Sequence, residues 1–205
     1  MTVYEHAMLG VNLSLFAGLR RRYGWWLIAV AGVAAALPDW DGLSIVFGPA
    51  AYTRAHRVWG HNLLAAGFGG LGVGIVGWLL ARSSPVRTLA GRHAIAAPAP
   101  GPPSKLVLWA CTGAIAGLSH LPADIVFNGG SNLPAWPVPL LWPFDRRGWA
   151  LPIVPWGDIV VTLLFAAGMF ALYRWPDRDR AVAALTLAAT SAYLLARWIM
   201  IGSGN

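Results

Sequence analysis

The chain has 205 residues, of which 57% are hydrophobic and 11% charged; that balance is too apolar for an ordinary soluble domain of this length and places the chain in the membrane class. The formal charge of +7 does not point to nucleic acid, because the basic residues punctuate apolar segments instead of crowding one face or helix. Cys111 is the single cysteine, so no internal disulfide can form.

A bilayer core takes roughly 17–25 residues per helix, and about six stretches meet or approach that length. Residues 3–19 come first: they lack proline and hold their polar groups, Glu5 and His6, at the very start. No basic segment precedes them, so they read as a retained helix and not as a cleavable signal peptide. The apolar runs 25–37, 62–81, 106–121, 159–173 and 181–201 follow. Between the third and fourth lies a proline-rich linker, 94–104 (AIAAPAPGPPS), which cannot continue a helix or build a core. The expected fold is all-α: a polytopic integral membrane helical bundle forming one domain over residues 1–205, with its motifs concentrated in 1–145.

If the helices cross in turn, the connections 20–24, 82–105 and 174–180 share one side and carry Arg20, Arg21, Arg22, Arg82, Arg87, Arg92, Lys105, Arg174, Arg178 and Arg180. By the positive-inside rule that side is cytoplasmic. The connections 39–61 and 122–157 then face outward. Trp40, Trp59, Trp136, Trp142, Trp149 and Trp156 lie in or beside them, as expected of indoles at headgroup level.

This topology sends seven potential ligands to the outward face. His6 begins the first helix, Asp39 and Asp41 end the second, His56 and His61 precede the third, and His120 and Asp124 end the fourth. His120 and Asp124 are four residues apart and share a helix face, with Pro122 between them expected to kink or end that helix. Carboxylates at a membrane boundary are costly and are usually functional. Glu5 reads instead as a charge at a helix start, and Asp158 reads equally as a helix-start charge or a site residue.

Mixed His and Asp ligation suits zinc, with manganese or iron as alternatives, and seven ligands exceed the needs of one ion, so one or two ions are expected. A metal of this kind can acidify water for attack on an ester, and a pair of ions can clamp a phosphoester. Asp39, Asp41 and Arg57 are the candidate catalytic residues. Arg57, Arg146 and Arg147 are the candidate substrate-binding residues, because guanidinium forks match phosphate oxygens. The competing reading is a membrane metal-binding or transport protein without hydrolase activity. It is disfavoured because residues 63–80 and 159–172 carry almost no ionisable groups to line a path.

His6, Pro38-Asp39-Trp40-Asp41, His56-Arg57-x-x-x-His61, Ser119-His120-Leu121-Pro122-Ala123-Asp124 and Pro139-Leu140-Leu141-Trp142-Pro143, in that order, resemble the YdjM-like family of bacterial inner-membrane, metal-dependent hydrolases. That family is similar in turn to the zinc-dependent phospholipase C and single-strand nuclease superfamily. The resemblance implies an inner-membrane hydrolase in which Asp124 bridges two ions, and the distribution of basic residues puts the expected site on the non-cytoplasmic face. The chain departs from the superfamily in having no His after His120 to complete a third zinc site, and in carrying Gly60-His61-Asn62 where a Thr-His-Ser is usual. The expected partners are membrane lipids and a lipid or lipid-linked phosphoester substrate.

Overall fold

The first helix opens on a capping box. Thr2 accepts from the Glu5 backbone N–H and the Glu5 carboxylate accepts from the Thr2 N–H, which fixes the start of α1, Val3–Phe16. Glu5 also accepts from the Thr162 hydroxyl, so the expected helix-start charge is tied to a second helix as well. This computed structural model describes residues 1–83, 104–128 and 135–203. Its further elements are α2 Leu19–Ala36, a 3-10 helix Leu37–Phe47, α3 Pro49–Ala55, α4 Leu63–Arg82, α5 Ser104–Val126, α6 Ile159–Arg174, a short 3-10 turn Pro176–Arg178 and α7 Asp179–Ser203. No strand occurs among the described residues, only an isolated bridge between Val138 and Trp149.

Among the described residues, four helical stretches have the length and apolar composition to cross a membrane: Leu19–Phe47, Leu63–Arg82, Lys105–Val126 and Pro176–Ser203. The other two expected spans are shorter helices, 14 residues in α1 and 16 in α6. Large apolar side chains such as Phe68, Val76, Ile115, Phe170 and Leu195 point outward, which suits a lipid surround and would be an aggregation liability in water. The linker at 94–104 lies outside the described residues except for Ser104, with which α5 begins.

Two local expectations are corrected. The segment 20–24 is not a free connection: the chain turns at Gly18 (φ 73°), α2 resumes at Leu19, and only a break at Gly24 (φ 79°) interrupts it. Positive φ is open to glycine at little cost, which is why the chain bends at these two places. Pro122 does not end its helix either. It sits in the last turns of α5, which runs on to Val126, so the helix continues past the single N–H that proline cannot supply to Leu118.

Helices α4 and α5 form the closest pair. Gly70 and Gly74 on one face Gly113 and Gly117 on the other, and a Cβ at any of the four would collide with a carbonyl of the partner helix. This small-residue packing brings the backbones together where the lipid environment supplies no hydrophobic drive. It also sets the register. The start of α4 meets the end of α5, and the end of α2 and the start of α1 join them there. At the opposite end Arg20 pairs with the buried Asp179 at 2.7 Å, fastening α2 to α7.

Candidate metal centre

Four chain segments deliver the site. The first turn of α1 carries His6, the 3-10 continuation of α2 carries Asp39 and Asp41, the turn before α4 carries His56, Arg57 and His61, and the last turns of α5 carry His120 and Asp124. Asn62 closes that turn by capping α4, its Oδ1 accepting from the Ala65 N–H at 2.9 Å. Six of the seven expected ligands fall into groups of close ligand atoms, and the seventh, Asp41, stands behind them, bonded to His56 and His61. His6, Asp39 and His120 form one group of mutually close ligand atoms; Asp39, His56 and His61 form a second; His61, His120 and Asp124 form a third, each within 4.8 Å.

The ring orientations are set by hydrogen bonds. His120 Nδ1 lies 2.8 Å from the Ala35 carbonyl oxygen; a carbonyl only accepts, so Nδ1 carries the hydrogen and Nε2 presents a lone pair. His61 Nδ1 lies 3.1 Å from Asp41 Oδ2, and the same reasoning leaves its neutral ring with a lone pair on Nε2. These two Nε2 atoms face each other at 3.1 Å. Asp39 Oδ1 stands 3.4 Å from His61 Nε2 and 3.7 Å from His120 Nε2, and Asp124 Oδ2 stands 3.2 and 3.8 Å from the same two atoms. A buried convergence of imidazole nitrogens and carboxylates favours a cation at its centre, in addition to the Met1 amino group and Arg57 that already pair with Asp124. A tetrahedral zinc, about 2.0–2.1 Å from each imidazole nitrogen, would hold two of them roughly 3.4 Å apart, so the donor set fits such an ion.

In the metal-free protein a proton meets the same need. Burial opposes a charged His61 ring, but hydrogen bonds to Asp124, Asp39 and Asp41 outweigh it and push its pKa up to about 10. Metal and proton therefore compete for this imidazole.

Asp39 and Asp41 have different roles, which residue spacing alone left open. Asp41 commits Oδ1 to His56 Nδ1 at 2.9 Å, and Oδ2 to His61 Nδ1 and to the Gly60 N–H at 2.9 Å. It orients imidazoles from behind, as carboxylates behind metal-bound histidines do. Asp39 faces the Nε2 side, its Oδ2 has no hydrogen-bond partner, and its side chain is 11% exposed against 2% or less for His6, His61, His120 and Asp124. Asp39 is thus where the cluster is most open. His6 stacks on His120 with ring centroids 3.5 Å apart, and its Nε2 lies 3.0 Å from Asp124 Oδ1, which also accepts from the Met1 amino group.

Arg57 is 2% exposed and adopts a left-handed backbone (φ 61°), a conformation costing a non-glycine residue on the order of 1–3 kcal/mol and common at functional sites. Its guanidinium reaches Asp124 Oδ2 at 3.1 Å and the Trp136 carbonyl at 2.7 Å. It also lines a cavity of about 580 Å³ beside the cluster, together with Arg54, Arg146, Trp59, Trp136 and Trp142. Arg147 is not part of that lining. It turns back toward Asp145, 3.8 Å away.

Several contributors were not read from the sequence. The Ala35 carbonyl sets a histidine tautomer but is a backbone group with no residue signature. Gly60 has a Cβ position filled by the Pro38 carbonyl oxygen, a fact of packing. Asn128 is fully buried and clamps Trp136 through its Nδ2 and Oδ1, and it could have been suspected as a polar residue closing an apolar helix. Asp158 takes the helix-start role, capping α6 through Oδ1.

Among families of known proteins, the one described as YdjM inner membrane protein matches residues 1–203. No curated protein and no solved structure matches the chain.

Proposed function

The chain belongs to the YdjM inner membrane protein family, and from that premise we propose that it is a multi-pass, metal-dependent hydrolase acting on an ester, in particular a phosphoester of a lipid or lipid-linked molecule. The observation that carries this reading is the facing pair of Nε2 atoms on His61 and His120, 3.1 Å apart between two carboxylates. A bound divalent metal, with zinc preferred on this donor set, supplies Lewis acidity and acidifies water at neutral pH.

His6, Asp39, His61, His120 and Asp124 would hold one ion or two. Asp41 and the Ala35 carbonyl hold the rings in the tautomer that ligation needs. Asp39 keeps a buried Oδ2 without a hydrogen-bond partner, an acceptor left free to take a proton from a water held within the cluster. Arg57 neutralises part of the Asp124 charge and presents a guanidinium toward an arriving anionic group. Six segments, counting α1 and α6 with the four long helices, would place the cluster at headgroup level on the non-cytoplasmic face, where a lipid ester reaches it without leaving the bilayer.

The test is turnover. Detergent-purified protein reconstituted with zinc or manganese, offered phospholipids and polyprenyl phosphates, is expected to cleave at least one class and to lose that activity in Asp39→Asn. Failure to cleave any of them, with metal bound, would remove the hydrolase reading and leave a metal-binding membrane protein.

A further inference from the structure

The cavity beside the cluster has a charge pattern that the metal ligands do not explain. Arg54, Arg57 and Arg146 line it with Trp59, Trp136 and Trp142, and no carboxylate is among its lining residues. Arg57 is compensated by Asp124. Arg54 and Arg146 make no ion pair or side-chain hydrogen bond among the described residues, so two positive charges are left facing the space. Arg57 is almost wholly buried, and its Nε has no partner. An unsatisfied buried donor of this kind costs on the order of 1–3 kcal/mol, more when charged, unless a ligand meets it.

We propose that this cavity binds the headgroup of a lipid bearing an anionic phosphoryl group and no cationic terminus, and presents it to the adjoining metal cluster. The inference rests on the hydrolase reading and names its substrate class. Guanidinium groups pair with phosphate oxygens through two parallel hydrogen bonds, and three of them converge here. Trp59 and Trp142, with ring centroids 5.4 Å apart, belong to the residue type that favours headgroup level. Indoles alone would also suit a choline-type ammonium. The two uncompensated arginines oppose such a group, and no acid is present to receive it. Arg57 joins the two regions, touching Asp124 on one side and lining the cavity on the other, so a phosphoryl group seated among the arginines lies next to the ligands.

The experiment is a calorimetric titration of the full chain, detergent-solubilised and metal-depleted so that arginines and not metal supply the attraction. The probes are dihexanoyl phosphatidic acid, dihexanoyl phosphatidylcholine and inorganic phosphate. Phosphatidic acid is expected to bind about tenfold or more tightly than phosphatidylcholine, and R54Q and R146Q each to weaken it by about tenfold, the scale of one lost charged hydrogen bond. R146K, which keeps the charge, should retain more affinity than R146Q. Equal binding of the two lipids by the wild type would overturn the proposal, as would unchanged affinity in both glutamine variants. Inorganic phosphate binding as tightly as phosphatidic acid would assign the cavity to free phosphate and overturn the lipid claim. Metal uptake, measured separately in wild type, R54Q and R146Q, is expected to be equal. Its absence from the wild type would sink the hydrolase reading while leaving the lipid titration readable.

Discussion

Replacing Asp41 by asparagine separates a residue that orients ligands from one that binds metal. Asp41 is 2% exposed and accepts three hydrogen bonds, from His56 Nδ1, His61 Nδ1 and the Gly60 N–H. Asparagine keeps one accepting oxygen and puts an NH2 where the other stood, so at least one of those donors meets a donor. If the NH2 faces His61 Nδ1, the ring gains by moving its hydrogen to Nε2, the atom that should hold metal. Loss of such an orienting carboxylate costs about 10–100-fold in metal affinity, or roughly 1.4–2.7 kcal/mol. Asp39→Asn, which alters a carboxylate on the Nε2 side, should cost more. The assay is competition for zinc against a chromophoric chelator, with each variant first shown to be monodisperse in detergent. Equal losses in the two variants, or a greater loss in Asp41→Asn, would refute the division of labour.

Metal affinity should rise with pH, by about tenfold per unit for each proton displaced, because His61 is protonated in the metal-free state up to a pKa of about 10; a titration at three pH values checks the slope. The same shift has a stability consequence with a definite sign. His61 is raised above its ordinary 6.5, so its contribution to the metal-free fold is complete below about 6.5 and disappears as pH climbs toward 10, and thermal unfolding with chelator should occur at lower temperature at pH 9 than at pH 6. Gly60→Ala would drive a methyl group into the Pro38 carbonyl and shift Asp39 and Asp41 away from His61; metal content should fall while helix content by circular dichroism stays near wild type. Arg20→Ala removes the 2.7 Å partner of the buried Asp179 at the far end of the bundle while Arg21 stays 3.9 Å away, which should cost about 1–3 kcal/mol of stability without changing metal content.

Much of this arrangement was legible because the ligands lie at helix ends that gather at one end of the bundle. Apolar run length placed the helices, and the basic residues assigned their sides. His6, Asp39, Asp41, His56, His61, His120 and Asp124 were then expected to share an end, and the structure brings six of them into close groups with Asp41 bonded to His56 and His61 behind them. The division between Asp39 and Asp41 was not legible. In a 3-10 helix of about three residues per turn, positions two apart face different neighbours, and whether one of them meets Nδ1 or Nε2 of His61 depends on how the 56–61 turn packs. The different surroundings of Arg54, Arg146 and Arg147 were not legible for a similar reason. Adjacent arginines at 146 and 147 look equivalent in sequence, but the turn that brings Arg146 into the cavity leads Arg147 back to Asp145, while Arg54 enters from a different helix, α3. The shortness of α1 and α6 reflects where the chain breaks: α1 ends at the Gly18 turn, and α6 begins only at the Asp158 cap.

Elemental mass spectrometry of the detergent-purified chain tests the central claim most directly, with His120→Ala and Asp124→Asn measured alongside wild type. The account predicts one or two transition-metal ions per chain in the wild type, lost in both variants while they remain monodisperse. A wild type that holds no metal even after incubation with zinc or manganese, or variants that keep the full complement, would contradict it.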